Sequence, residues 1–189
     1  MSIKLRFYRV ILGLSLTVII ILAINFIASR PNEITLKEAY LLGLNKAKGW
    51  DPNAALIIMT SVDDKKEGSK GSNGKRRNWN LIFGVPETNK QLIITINDKD
   101  IINSKSNEDI IMKKSMIVSL EDIKVDSPEA LKQTLEKHPI EPGKDWAEGH
   151  HFGLYKIEES GKTAETVTGF DNGKFTKIAL DASKGELLN

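Results

Sequence analysis

Residues 10–29 form an uncharged apolar segment, VILGLSLTVIIILAINFIAS, which constrains this chain more than any other feature. Its length matches the about 20 residues that a helix with a rise of about 1.5 Å per residue needs to cross a bilayer core. Three basic residues and no acidic one precede it, and the first acidic residue is Glu33. By the positive-inside rule, residues 1–9 are predicted to be a cytoplasmic stub and residues 10–29 a single-pass plasma-membrane anchor, with the rest of the chain outside the cell.

A cleaved signal peptide is the alternative, because it has the same basic start and apolar segment. Cleavage requires small residues at positions −3 and −1. Cleavage after Ala28 would place Phe26 at −3, and cleavage after Ser29 would place Ile27 there. The apolar segment is also longer than the roughly 7–15 residues that are usual in a cleaved signal. A retained anchor is therefore the favoured prediction.

The composition of the chain beyond residue 30 excludes several classes of function. The whole chain has 27 basic and 25 acidic residues, and four of the basic ones lie in residues 1–30, so 23 basic and 25 acidic residues remain, with a net charge of −2. Nucleic-acid binders carry a basic patch or stripe, so no nucleic-acid partner is predicted. The absence of cysteine excludes disulfides and thiol chemistry. No catalytic or nucleotide-binding motif is present, so neither an enzyme nor a cofactor is predicted, and a small-molecule ligand stays open.

The first α+β unit is predicted over residues 33–105. Thr35 and Glu38 form a capping box at the start of a helix over residues 36–48. Alternating or apolar segments then predict strands at residues 54–62, 79–85, 91–97 and 101–103.

Between the first two strands, residues 63–77 contain no large apolar side chain and are rich in Gly, Ser and Lys. They are predicted to form a flexible loop, because such a segment buries too little apolar surface to order itself. A basic patch for anionic polymers or lipid head groups is the alternative.

A second α+β unit is predicted over residues 126–189, after a connecting segment at residues 106–125 in which residues 116–120 fit either a strand or a crossover. Ser127 and Pro128 mark the start of a helix. Strands are predicted at residues 151–157, 165–170, 174–181 and 186–188, with an Asn172-Gly173 hairpin turn. A helix followed by strands, twice over, predicts α+β architecture with antiparallel sheets. Whether the two units share one sheet is open.

The closing sequence GFDNGKFTKIALDASKGELLN resembles the end of PepSY-type domains, in which an apolar strand leads into Asp, a turn with Gly, an acidic residue and a last apolar strand. Asp181, Gly185 and Glu186 match these positions. Asp181 would cap the turn and Gly185 would supply a positive φ. The first unit matches more loosely at residues 94–102, where the Gly and the acidic residue after the turn are missing. The resemblance implies tandem PepSY-like (cystatin-like) modules over residues 33–189.

That resemblance also implies an extracytoplasmic, non-enzymatic module that binds or restrains an exported peptidase or another envelope or membrane protein. An extended segment of such a partner could pair with an exposed sheet edge. The candidate partner-binding residues form a stretch rich in aromatic and histidine side chains: Trp146, His150, His151, Phe152 and Tyr155.

Two further hypotheses belong to other classes. A cell-envelope hydrolase would use Asp145, Glu148 and His151, the densest local group of titratable side chains. A regulator of a membrane sensor would instead act through residues 10–29. No metal site is predicted, because His150 and His151 are adjacent on a strand and point to opposite faces, one packed and one solvated.

Overall fold

The structure, a computed structural model, describes residues 32–108, 110–145 and 147–188. The predicted anchor at residues 10–29 and the candidate Trp146 lie outside these ranges. No helix within them is long and apolar enough to cross a membrane.

Two α-helices and seven strands make up the described part of the chain. Their bounds are α1 Leu36–Trp50, β1 Ala55–Val62, β2 Asn78–Gly84, β3 Lys90–Asn97, β4 Asp100–Glu108, α2 Ser127–Lys137, β5 His151–Lys156, β6 Thr163–Asp171 and β7 Lys174–Asp181, with two short 3-10 helices at Lys114–Met116 and Leu120–Asp122. All strands pair antiparallel in one sheet of order β4-β3-β2-β1-β5-β6-β7. The predicted α+β class is confirmed, and the two helix–strand segments build neighbouring halves of a single sheet that join where β1 pairs with β5.

The core lies between the two helices and the sheet. α1 packs against β1, β2 and β3, whereas α2 packs against β6. Trp79, Leu81 and Phe83 alternate along β2 and are completely buried, as their spacing predicts. The predicted capping box is present at the start of α1, where Thr35 and Glu38 bond each other's backbone N–H groups.

The N-termini of α1 and α2 meet at Asp126 and Ser127. Oδ1 of Asp126 accepts hydrogen bonds from the backbone N–H of Lys37 at 3.0 Å and of Ser127 at 2.8 Å. Oγ of Ser127 accepts one from the N–H of Leu36 at 2.9 Å and donates to the carbonyl of Gly74 at 2.6 Å. These bonds satisfy donors that the first turn of a helix leaves without partners. Two residues of the second segment thus cap the helix of the first.

Replacing Asp126 with alanine is therefore expected to lower the free energy of unfolding by about 1–2 kcal/mol, because both helices lose a cap acceptor. Asp126→Asn keeps an acceptor oxygen and should lose clearly less. Urea unfolding followed by circular dichroism measures both. Equal losses in the two variants would show that the negative charge matters here and that the hydrogen bonds do not.

β4 is longer than the strand predicted at residues 101–103. It runs to Glu108, into the segment that was expected to be a connection. From Asn103 onward the strand is polar and exposed on both sides, so no apolar alternation marks it in the sequence. Residues 116–120 link the two 3-10 helices and make a single bridge, between Leu56 and Val118, so they form neither a strand nor a crossover.

Residues 63–77, predicted to be a flexible loop, are held in place by polar contacts. The carbonyl of Lys70 accepts a hydrogen bond from the N–H of His150 at 2.8 Å. Arg76 and Arg77 are only 1% and 4% exposed. Polar bonds here replace the apolar burial on which the expectation of flexibility was based. Because both arginines are buried, neither can belong to the basic patch that was the alternative.

Candidate functional site

The predicted partner-binding residues from His150 to Tyr155 do not lie at a sheet edge. His150 immediately precedes β5 and the other three described candidates lie within it, and β5 pairs with β1 on one side and β6 on the other. Phe152 is 1% exposed and belongs to the core, and Tyr155 is half-buried. This stretch therefore cannot accept an added strand. The alternation HFGLYK predicts a strand, but strand order depends on contacts that are distant in the sequence.

His150 and His151 contact different partners, as expected, but neither is solvated. Nε2 of His150 lies 3.3 Å from the carbonyl oxygen of Ile140, and the side chain of His151 is 12% exposed. Burial lowers the pKa of both imidazoles, and the positive charge of Arg76 lowers it further. The described residues contain no group of three or more His, Asp or Glu side chains that could hold a metal ion.

His151 belongs to a polar group that we name the Arg76 cluster: Ser61, Asp63, Arg76 and His151. Nδ1 of His151 lies 3.1 Å from Oγ of Ser61, and Nε2 lies 2.9 Å from Oδ1 of Asp63. The guanidinium of Arg76 donates to the carbonyl of Glu148 at 2.9 Å and lies 3.4 Å from Oδ1 of Asp63. The cluster joins the end of β1, the loop at residues 63–77 and the start of β5.

The order Ser61–His151–Asp63 matches the connectivity of a catalytic triad, but the exposure is reversed. A nucleophilic serine must reach a substrate, whereas Ser61 is 5% exposed and its Oγ also accepts the N–H of Phe152 at 2.9 Å. In a catalytic triad the acid is buried behind the histidine. Here the acid, Asp63, is the most exposed of the three residues, with 43% of its side chain accessible to solvent. This geometry ties segments together and does not present a nucleophile.

The three residues of the hydrolase hypothesis do not form one group. The carboxylate of Glu148 pairs with Lys70 at 3.1 Å, and His151 pairs with Asp63. Asp145 lies beside a cavity of about 220 Å³ whose lining contains neither of the other two.

The closing turn has the geometry that its sequence predicts. Oδ1 of Asp181 accepts the N–H of Ser183 at 2.9 Å, and hydrogen bonds from Ser183 hold the pKa of Asp181 below its usual value. Gly185 has φ +73°, a conformation that favours glycine. The carbonyl of Glu186 accepts the N–H of Asp181 at 2.7 Å, and Leu187 bridges Leu180. The turn therefore folds the last residues onto the outer side of β7.

β4 is the other end strand of the sheet, and it pairs only with β3 within the described ranges. Nine residues long, it carries exposed side chains from Ile102 to Glu108. Its outer backbone edge is the longest one that the described fold leaves available to a partner.

A trough lies between the second half of α1 and β4. Two neighbouring cavities of about 450 and 520 Å³ share Trp50 and Ser106 in their linings. Ser104 and Ser106 pair with core residues of β3, which places their small side chains on the helix side of the sheet. We name this space the α1–β4 trough. It is lined by Asn45, Lys46, Gly49, Trp50, Asp51, Lys90, Leu92, Ser104, Ser106, Asn107 and Glu108.

Sequence reasoning missed both the Arg76 cluster and the trough. Arg76 stands in a Lys- and Gly-rich loop, where charge is usually solvated, and no local pattern distinguishes it. The serines of β4 lack the apolar alternation that would have extended the strand. Trp50 at the end of α1 is the one signal in the sequence that could have pointed to the trough.

Comparison with known proteins supports the fold and goes no further. No protein-family model matches the chain, so the PepSY resemblance stays a prediction. No curated protein matches it either. The chain is similar to a crystal structure from Clostridium difficile 630 that is described as a candidate lipoprotein, with a TM-score of 0.57 and 14% sequence identity, over 78% of this chain and 88% of that one. At this identity, the likeness shows a shared α+β fold.

Proposed function

We propose that this chain is an envelope-associated docking protein, anchored by residues 10–29, that binds an extended segment of another exported or membrane protein on β4. The apolar segment with its basic flank supports the location, as does the description of the structurally similar protein as a candidate lipoprotein. The loose PepSY resemblance adds an exported peptidase as one candidate partner. The observation that carries the proposal is the free edge of β4.

The two ends of the sheet differ in how far they are closed. At β7, the N–H of Leu188 donates to the carbonyl of Ala179 at 2.9 Å, so the chain covers part of the outer edge of this strand itself. No such contact covers β4 within the described residues. A row of unpaired backbone donors and acceptors is a template for an incoming strand.

The hairpin between β3 and β4 decides which backbone groups of β4 point outward. Asp98 and Lys99 both have positive φ, which is typical of a two-residue type I′ turn whose flanking residues exchange both hydrogen bonds. A one-residue bulge in β4 shifts the register by one, so hydrogen-bonded pairs resume at Asn103 and then alternate with non-bonded pairs. The backbone of Ser104, Ser106 and Glu108 therefore points away from β3. These residues present N–H and C=O groups to a docking segment.

The charges of β4 favour a different chain over a second copy of this one. Antiparallel self-pairing centred on Ser104 would place Asp100 opposite Glu108, and pairing centred on Lys105 would place Lys105 opposite itself. Like charges directly opposite each other are destabilising. A single lysine on an edge strand also discourages indiscriminate association. The partner segment that fits best carries an acidic side chain opposite Lys105.

Ser106→Pro is expected to abolish docking with little effect on the fold. Proline removes an N–H that points outward, so the bonds between β3 and β4 stay intact, and edge strands tolerate proline. A photo-crosslinking residue at Asn103 in the full-length protein, in its native membrane, should give a defined adduct. We expect Ser106→Pro to reduce its yield at least about tenfold.

Ser106→Ala is the matched control, because it removes the hydroxyl and keeps the N–H. It should leave the adduct unchanged, and the same crosslinker at Lys177 on β7 should give none. An adduct at Asn103 that survives Ser106→Pro, or one that also forms at Lys177, would refute docking on β4.

A further inference from the structure

The α1–β4 trough is open because small residues leave it unfilled. α1 covers β1, β2 and β3, while the helix-side positions of β4 next to the trough are Ser104 and Ser106. On the helix side, a Cβ built on Gly49 would meet nothing within 4 Å. The two neighbouring cavities measure about 450 and 520 Å³. The space can hold a ligand of several rings.

The lining combines one aromatic surface with hydrogen-bonding groups of both kinds. Trp50 is half-buried at the end of α1 and lines both cavities. Lys46 and Lys90 supply donors, and Asp51 and Glu108 supply acceptors. Nine ion pairs are present among the described residues, and none of them involves these four charged groups.

We propose that the α1–β4 trough binds a neutral oligosaccharide, with one sugar ring stacked on the indole of Trp50. Each sugar hydroxyl both donates and accepts a hydrogen bond, so one neutral ligand can use lysines and carboxylates together. An anion would be attracted by Lys46 and Lys90 but repelled by Asp51 and Glu108. A cation would be attracted by the two carboxylates but repelled by the two lysines.

The apolar face of a sugar ring matches an amphipathic aromatic surface. Asn45 adds a planar amide, which carries a donor and an acceptor side by side. A peptide side chain would favour a more apolar pocket than one with two serines and four charges. Strand docking on β4 uses outward backbone groups, whereas the trough uses side chains on the helix side. The sugar site thus goes beyond the proposed function and does not depend on it.

The test uses the full-length protein in lipid nanodiscs, since many detergents carry sugar head groups. The probes are the tetrasaccharides of N-acetylglucosamine, glucose, mannose and galactose, titrated to about 10 mM by calorimetry and tryptophan fluorescence. We expect saturable binding of at least one probe. Gly49→Leu fills the trough and raises helix propensity, so it should keep the fold and weaken binding at least about tenfold.

Lys48→Leu is the matched control, because it adds the same side chain to the neighbouring exposed position of α1; it should bind as the wild type does. Trp50→Ala should lose binding, and Ser106→Pro should keep it even where it abolishes docking on β4. No binding of any probe, or binding that Gly49→Leu leaves unchanged, would overturn the sugar site. Loss of the Asn103 adduct in Gly49→Leu, with no sugar bound, would assign the trough to the protein partner instead.

Discussion

Replacing Arg76 with methionine is expected to lower the free energy of unfolding by about 2–4 kcal/mol. Arg76 is 1% exposed, and its guanidinium donates to the carbonyls of Val62 at 3.2 Å and Glu148 at 2.9 Å. Methionine keeps much of the aliphatic stem, so the loss reports mainly on the guanidinium contacts.

The size of the effect follows from what the substitution leaves behind. Buried acceptors that lose their donor cost about 1–3 kcal/mol each, and entry of water recovers part of this. The partner carboxylate of Asp63 is 43% exposed, so it regains solvent and adds little. The contacts that the variant loses hold together the end of β1, the loop at residues 63–77 and the start of β5.

Urea unfolding followed by circular dichroism measures the loss. Lys65→Met, an exposed substitution in the same loop, is the control and should stay within about 0.5 kcal/mol of the wild type. Titration of His151 by NMR gives an independent readout. Burial and the charge of Arg76 both lower the pKa of His151, so Arg76→Met should raise it. A variant as stable as the control, with an unchanged His151 pKa, would contradict the central role of Arg76.

The second large effect is a loss of stability as pH rises, caused by Glu165. This residue lies on β6 between Leu154 and Leu180 and is 0% exposed. Neither carboxylate oxygen has a hydrogen-bond partner among the described residues. Burial raises the pKa of Glu165 well above its usual value, and the negative charge of Asp126 raises it further. The folded protein therefore keeps this carboxyl protonated at pH values at which the unfolded chain has already ionised it.

The sign of the pH dependence follows from proton linkage. Below the unfolded pKa of about 4.5, Glu165 is protonated in both states and its contribution to stability is complete. Above that value the unfolded chain ionises first, so stability falls by up to about 1.4 kcal/mol per pH unit until the folded pKa is reached. His150 and His151 act in the opposite sense. Burial lowers their pKa, so their contribution is lost as pH falls below about 6.5.

Glu165→Gln should remove the alkaline loss, because glutamine has the same shape and does not ionise. We expect the variant to gain stability relative to the wild type as pH rises, with the difference growing from about pH 4.5 up to the folded pKa. Urea unfolding at a series of pH values measures it. Glu159→Gln, an exposed position in the turn before β6, should follow the wild type. Parallel curves for Glu165→Gln and the wild type would show that Glu165 is not the group responsible.

Most of the helices and strands could be predicted from local patterns. The capping box of Thr35 and Glu38, the alternation Trp79–Leu81–Phe83 and the Asn172-Gly173 turn each depend on neighbours a few residues away, and each is present in the structure. The prediction covers only residues 101–103 of β4. The rest of this strand is exposed and polar, so no apolar alternation marks it in the sequence.

The candidate sites could not be predicted in the same way. His150 to Tyr155 stood out as a dense aromatic and histidine stretch, but the fold places this stretch at the centre of the sheet, where backbone groups are already paired. Arg76 gains its partners from segments up to 75 residues away. The trough exists only because α1 ends beside a strand that it does not cover.

The sequence by itself determined where both helices and most of the strands form, the α+β class and the lack of thiol chemistry, because these depend on local periodicity, capping and composition. The tertiary structure alone decided that the two halves share one sheet, that β4 is its open edge, and which charged groups are buried. Strand order and burial depend on packing between segments far apart in the chain, and no short window of sequence encodes that packing.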